Sequence, residues 1–232
     1  MDINKYYEKN ITYINTLDFR LNKIFVYIKN CKPKKILDIG CGNGILLKEL
    51  RMNSQLNRSK LLGIDVFKQN LGDGISYIRH DIAKKLPFKN SEFDCVVLGE
   101  VIEHVPDTDG LLAEINRILK KDGYLIISTP NLASWANRII LLFGIQPLFT
   151  EVSYRKVLGR KYKILGQGNK PVGHLRIFTQ NSLRDILMEN NFYIESKKGV
   201  IFNFPFPLSL IDLFFSNFFG LASGFIYFSR KK

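Results

Sequence analysis

Cysteine is scarce in this 232-residue chain: Cys31, Cys41 and Cys95 are the whole supply, odd in number and without a CxxC spacing. That argues against a disulfide framework and a zinc site, and it fits a reducing compartment. The opening stretch, MDINKYYEKN, lacks the apolar core of a secretory signal, so a cytoplasmic protein is expected. Internal repeats and low-complexity tracts are missing too, which sets solenoids aside. Acid is in short supply: 21 acidic residues face 34 basic ones, for a net charge of +13. Such a deficit favours negatively charged partners: nucleic acid, an anionic membrane surface or an acidic small molecule. A basic surface that is merely solvated is the plain alternative.

What is present is ordinary globular usage, 46% hydrophobic and 24% charged. Short apolar runs alternate with amphipathic ones. Lys35–Ile39, Leu61–Val66, Phe93–Leu98 and Tyr124–Ser128 read as strands, the first running into a glycine turn. Asp107–Lys121 reads as a helix, with Leu111, Leu112, Ile115, Ile118 and Leu119 on one face. Pro106 and Asp107 suit its start, and Lys120, Lys121 and Gly123 its end. Leu17–Lys29 reads as a helix covering the sheet. Thr179 caps a further helix over Asn181–Glu189, and Phe192–Lys197 returns as a strand. Strands alternating with helices imply an α/β, mostly parallel sheet with helices on both faces.

Two stretches stand apart. Residues 131–175 lack a clear period beyond a helix beginning at Ala133–Phe143, and read as an insertion or lid within a single domain spanning 1–232. Within it, Glu151 to Lys170 holds Arg155, Lys156, Arg160, Lys161, Lys163 and Lys170 against one acid. Near the end, Asp212 is the only charge between Lys198 and Arg230, and half of the 18 phenylalanines fall there. Leu208–Phe228 is long enough to span a membrane, but Asp212, Asn217, Gly220, Ser223 and Gly224 interrupt it. Ser209, Asp212 and Ser216 share a helical face. A helix over Leu208–Phe219 followed by a strand over Gly224–Ser229 is the preferred reading, with peripheral membrane contact through 201–228 as a further expectation.

The strongest pattern is Ile36-Leu37-Asp38-Ile39-Gly40-Cys41-Gly42-Asn43-Gly44 at a strand-to-helix turn. Glycines let the backbone turn sharply and approach a ligand, and the helix start offers free N–H groups. A dinucleotide loop would be G-x-G-x-x-G around a pyrophosphate. Here the spacing is G-x-G-x-G, with an acid two residues ahead of it. Asp38 would repel a phosphate and attract an ammonium. Asp65, followed by Val66, ends the second strand, where a carboxylate can accept from both hydroxyls of a ribose. Asp81 and Ile82 follow a later apolar segment, placed to meet an adenine amino group and ring.

These residues resemble the class I S-adenosylmethionine-dependent methyltransferases, with specific motifs over roughly 30–130. The resemblance implies a Rossmann-like, seven-stranded sheet whose last strand is antiparallel. It implies S-adenosylmethionine as cofactor, with Asp38 and Gly40–Gly44 at the methionine part, Asp65 at the ribose, Asp81 and Ile82 at the adenine, and Val66 among the cofactor-binding residues.

The next cluster, Gly99-Glu100-Val101-Ile102-Glu103-His104, lies where the third major strand ends. Gly99 is expected beside the cofactor. Glu100 and His104 are placed to bond an acceptor, and His104 to take its proton. The Glu100-x-x-Glu103-His104 string is similar to one in ubiquinone-pathway O-methyltransferases and in small-RNA 3′-end 2′-O-methyltransferases, members of which hold a divalent ion there. The second group adds a later histidine after a Thr-Pro-Asn turn. Here Thr129-Pro130-Asn131 is present and His174 follows. Glu100, Glu103, His104 and His174 could hold Mg²⁺, Mn²⁺ or Zn²⁺, although a metal-free site is preferred. His174 and Arg176 are expected to flank the acceptor.

Methyl transfer to an oxygen or nitrogen of a small or lipid-like acceptor, anionic in part, is the leading expectation, in the cytoplasm or at a membrane surface. An RNA acceptor suits the charge, although no RNA-binding module is visible. A non-enzymatic binding module is the third reading, opposed by the intact loop acids.

Overall fold

The computed structural model describes residues 16–159 and 171–232. Arg160, Lys161, Lys163 and Lys170 of the basic stretch lie outside the described residues, as does part of the expected 131–175 insertion. Helix α1 (Phe19–Cys31) starts at Asp18, whose carboxylate accepts from Leu21 N at 2.7 Å. Its Leu21, Ile24 and Ile28 are buried at helical spacing. There follow β1 (Lys35–Ile39), α2 (Ile45–Met52), β2 (Lys60–Asp65), β3 (Ile75–Arg79) and β4 (Phe93–Gly99). A 3₁₀ turn (Ile102–His104) leads to α3 (Thr108–Ile118), β5 (Leu119–Pro130) and α4 (Trp135–Leu142). The chain closes with α5 (Gln180–Glu189), β6 (Phe192–Val200), α6 (Leu208–Phe215) and β7 (Gly224–Lys231).

One seven-stranded sheet runs β3-β2-β1-β4-β5-β7-β6. Its first five members pair in parallel, while β7 is antiparallel to both β5 and β6. The expected Rossmann-like sheet with an antiparallel last strand is therefore present. One face packs Leu21, Ile24 and Ile28 of α1 with Leu46, Leu47 and Leu50 of α2. The other packs Leu111, Leu112 and Ile115 of α3 with Leu183 and Leu187 of α5. Strand order reverses between β1 and β4, the switch point at whose carboxyl ends ligands bind in open α/β sheets.

Two elements depart from the sequence reading. The helix expected to reach Lys121 stops at Ile118, because Leu119 already pairs with Phe93 and is fully buried. Lys120 serves not a helix end but Asp94, at 2.7 Å. Near the end, α6 stops at Phe215 rather than Phe219, and the chain continues in turns such as Leu221 N to Phe218 O. The polar face of this helix is turned inward. Asp212 is fully buried and Ser216 nearly so, whereas Leu210, Leu213 and Phe214 are exposed. Asp212 Oδ1 accepts from Trp135 Nε1 at 2.8 Å and from Ser223 Oγ, and Oδ2 accepts from Phe202 N at 2.6 Å. Satisfying these three donors, two of them buried, is what turns the polar face inward. Among the described residues, no helix is long and apolar enough to cross a membrane.

Candidate active site

The chain leaves β1 through Gly40, Cys41, Gly42, Asn43 and Gly44. Gly40, Gly42 and Gly44 have φ of 69°, 52° and 72°, left-handed backbone that favours glycine. Space is as tight as torsion. A Cβ on Gly40 would stand 2.4 Å from Val101 Cγ2, and one on Gly44 2.6 Å from Leu71 Cδ2. Gly44 is the N-cap of α2. Cys41 is buried in the loop, and burial together with Asp38 and Asp65 pushes its thiol far up, which leaves it a packing residue. Asn43 is half-buried.

Asp65 is buried at the end of β2. Its Oδ2 accepts from Gly42 N at 2.9 Å and its Oδ1 from Phe67 N at 3.2 Å. A carboxylate offers about four acceptor positions, so each oxygen retains one, an arrangement that fits a vicinal diol. Burial raises the carboxyl of Asp38 to about 7, against the pull of Arg20 and with a further push from Asp65. An ammonium placed beside it would restore the charge. His80 N donates to Asp65 O at 2.9 Å, tying the turn after β3 to the end of β2. In that turn Asp81 Oδ1 accepts from Ala83 N at 3.0 Å, and Ile82 packs half-buried on the core. Val66 O accepts from Arg79 Nε at 2.9 Å.

Gly99 ends β4 and makes room for Arg20 from α1, which sequence reasoning missed. A Cβ on Gly99 would lie 2.7 Å from Arg20 Nη1. Arg20 donates to Ser128 Oγ at 3.3 Å, and its Nε lies 3.9 Å from Glu100 Oε1. Its side chain is only 14% exposed. The available signal was position: Arg20, Ile24 and Ile28 form an i, i+4, i+8 stripe, and a charge in a buried stripe points to a function.

Glu100 adopts a φ of 56°, rare for a non-glycine residue. The chain then turns through the 3₁₀ segment. Glu103, His104 and His174 each bring a ligand-type atom within 4.8 Å of the other two. Glu100 falls outside that group. Glu103 is fully buried. Its Oε2 accepts from Thr129 Oγ1 at 3.0 Å, and Oε1 has no partner among the described residues. Burial, reinforced by Glu100, pushes its carboxyl well above the usual range. His104 Nδ1 lies 3.3 Å from Gly173 O, and His174 Nδ1 lies 2.9 Å from Phe149 O. Burial and the neighbouring His174 drive His104 down to about 3, against the Gly173 carbonyl, so it is neutral near pH 7. A carbonyl only accepts, so on each ring Nδ1–H faces it, and Nε2 is the nitrogen on the far side of the ring.

The loop that carries His174 is fixed on both sides. Glu151 accepts from the backbone N–H groups of Val172, Gly173 and His174. Leu175 N and Arg176 N donate to Glu103 O at 2.9 and 3.3 Å. Arg176 reaches Pro106 O at 2.7 Å and Thr108 Oγ1 at 3.1 Å, so its guanidinium anchors this loop to the start of α3.

The methyltransferase-domain family matches residues 15–197. Curated relatives include a ubiquinone biosynthesis O-methyltransferase of Vibrio atlanticus, 29% identical over 53% of this chain and 54% of that protein. Another of the same name, from Rickettsia bellii, is 26% identical over 81% of this chain and 73% of the relative. The chain thus spans about half the length of the first of these relatives. Among solved structures, a 1,6-didemethyltoxoflavin N1-methyltransferase from Burkholderia thailandensis, with S-adenosylhomocysteine bound, superposes with a TM-score of 0.61 at 16% identity, covering 99% of this chain and 85% of that one. A SAM-dependent methyltransferase from Aquifex aeolicus superposes with a TM-score of 0.58 at 14% identity, covering all of both chains. With most of its length matched and its sheet shared, the chain belongs to the class I S-adenosylmethionine-dependent methyltransferase family.

Proposed function

We propose that the chain transfers a methyl group from S-adenosylmethionine to an oxygen of a small, lipid-like acceptor. One relationship carries the reading: Gly40 packs on Val101, and Val101 opens the turn that bears Glu103 and His104. The cofactor loop and the polar cluster are thus joined at one residue. On the cofactor side, Asp65 would take the ribose diol and Asp38 the ammonium, with Gly40–Gly44 along the methionine part. Asp81 and Ile82 would meet the adenine, and Arg20 would face the cofactor carboxylate. S-adenosylmethionine supplies an electrophilic methyl on a sulfonium, and the protein's task is to align the acceptor with it. The ubiquinone-pathway O-methyltransferases among the relatives support an oxygen on a lipid-like molecule. So does the apolar wall beside His174, where the Phe149 ring lies 5.8 Å away.

A hydroxyl must lose its proton, and a histidine held near 3 is a weak base for that task. It is, however, a fixed neutral ligand. The unpartnered Glu103 Oε1 favours a second reading in which Glu103, His104 and His174 hold a divalent cation. Such an ion would supply positive charge next to the acceptor oxygen. The deciding experiment offers labelled S-adenosylmethionine and the protein to lipid, small-molecule and RNA fractions of a cell extract. Label in the lipid or small-molecule fraction, on oxygen by mass analysis, is expected. Label in RNA, or in no fraction, would overturn the proposal.

A further inference from the structure

The packing of α6 is inside out. A surface helix normally turns its polar stripe to water, yet here Asp212 and Ser216 face inward and Leu210, Leu213 and Phe214 face out. Helix α4 shows the same habit. Trp135, Ala136 and Asn137 are buried, while Leu141 and Leu142, with Phe143 after the helix, are 60–84% exposed. The two helices are neighbours: the Trp135 and Phe215 rings stack at 5.7 Å, and Trp135 Nε1 donates to Asp212. The two helices thus meet through the buried Trp135, and each turns an apolar face to solvent.

Charge selects the occupant. Arg138 is exposed on α4. The segment carrying exposed Arg155 and Lys156 folds back to the end of α4, where Gln146 N donates to Gly159 O at 3.1 Å. The one acid of that segment, Glu151, has its carboxylate occupied by three backbone N–H groups, and the acid of α6 is buried. Exposed leucines and phenylalanines flanked by cations, with no free acid, match an anionic lipid surface. A protein partner would require hydrogen-bonding groups in the contact, and the outer arc of α6 offers none in Leu210, Ile211, Leu213 and Phe214. We propose that the outward faces of α4 and α6, with their flanking cations, dock this protein on the surface of an anionic bilayer. Docking there would serve a lipid-like acceptor, but the inference does not rest on that assignment, because vesicle binding needs neither cofactor nor acceptor.

The test is sedimentation of the full chain with vesicles of phosphatidylcholine containing phosphatidylglycerol, against vesicles of phosphatidylcholine alone, at low and high salt. Binding to the anionic vesicles, weakened at least tenfold by salt or by omitting phosphatidylglycerol, is expected. The double variant L142E/F214E, with an unchanged melting curve, should lose at least tenfold in partitioning. Retained methyl-donor binding in that variant separates this result from any failure of the functional reading. No sedimentation, or equal sedimentation of the variant, would overturn the proposal. So would a wild-type dimer that the double variant dissociates, which would assign the face to a second copy.

Discussion

The imidazoles of His104 and His174 lie with centroids 4.7 Å apart, and each directs Nδ1 to a main-chain carbonyl. The neutral His104 ring and the His174 ring, beside a buried Glu103 oxygen that lacks a partner among the described residues, form a set of ligand-type atoms suited to a cation. Chelation should therefore lower methyl transfer, and Mg²⁺ or Mn²⁺ should restore it. His174→Ala should raise the ion concentration needed by about tenfold or more. Full turnover after exhaustive chelation would reduce these residues to hydrogen-bonding roles.

In its proposed role beside the cofactor ammonium, Asp38 would make cofactor binding sensitive to pH. With its carboxyl raised to about 7 by burial, it is charged above neutrality and protonated below. Affinity for S-adenosylmethionine should fall as pH drops below about 7, by up to tenfold per unit. Folding stability should run the other way. The native state binds the extra proton between the ordinary carboxyl range and 7, so this group's contribution declines as pH rises through that window. Calorimetric titrations and melting curves from pH 5 to 9 would show both trends, and Asp38→Asn should flatten them.

Asp65→Ala removes two acceptor positions for a diol and the partners of Gly42 N and Phe67 N. Two charge-assisted bonds at ~1.5–3 kcal/mol each predict a loss of affinity of about a hundredfold or more. The fold should survive at a cost of roughly 1–2 kcal/mol. Binding unchanged by isothermal titration would refute the ribose assignment.

Asp212→Ala would leave the Trp135, Ser223 and Phe202 donors without their acceptor inside the protein. A loss of about 3 kcal/mol or more is expected, or several degrees in the thermal midpoint at about 2–4 °C per kcal/mol. Asp212→Asn, which retains one acceptor oxygen, should lose less. A neutral Asp212→Ala would mean that the helix can turn over.

The sheet and the glycine turn after β1 were legible because each rests on local chemistry. Gly40 and Gly44 sit where a side chain would collide, and apolar runs mark β1, β2 and β4. The end of α3 was misread because Lys120 and Lys121 mimic helix-terminal cations, and only the tertiary pairing of Leu119 with Phe93 reveals a strand. Arg20 was missed because its partners Ser128 and Glu100 are remote in sequence. The grouping of Glu103, His104 and His174 was readable as residue types, but the separation of Glu100 from them follows from its own left-handed backbone. The inward turn of the α6 polar face was not legible, because periodicity identifies two faces without saying which is inside. Trp135 and Ser223, distant in the chain, decide it.

Strand β7 lies between β5 and β6 rather than at a margin. Residues 224–231 therefore complete two hydrogen-bonded ladders at once, and among the described residues β6 pairs with no other strand. Until the ribosome has released them, the far third of the sheet has nothing to join it, and β5 presents a bare apolar edge that invites association with other nascent chains.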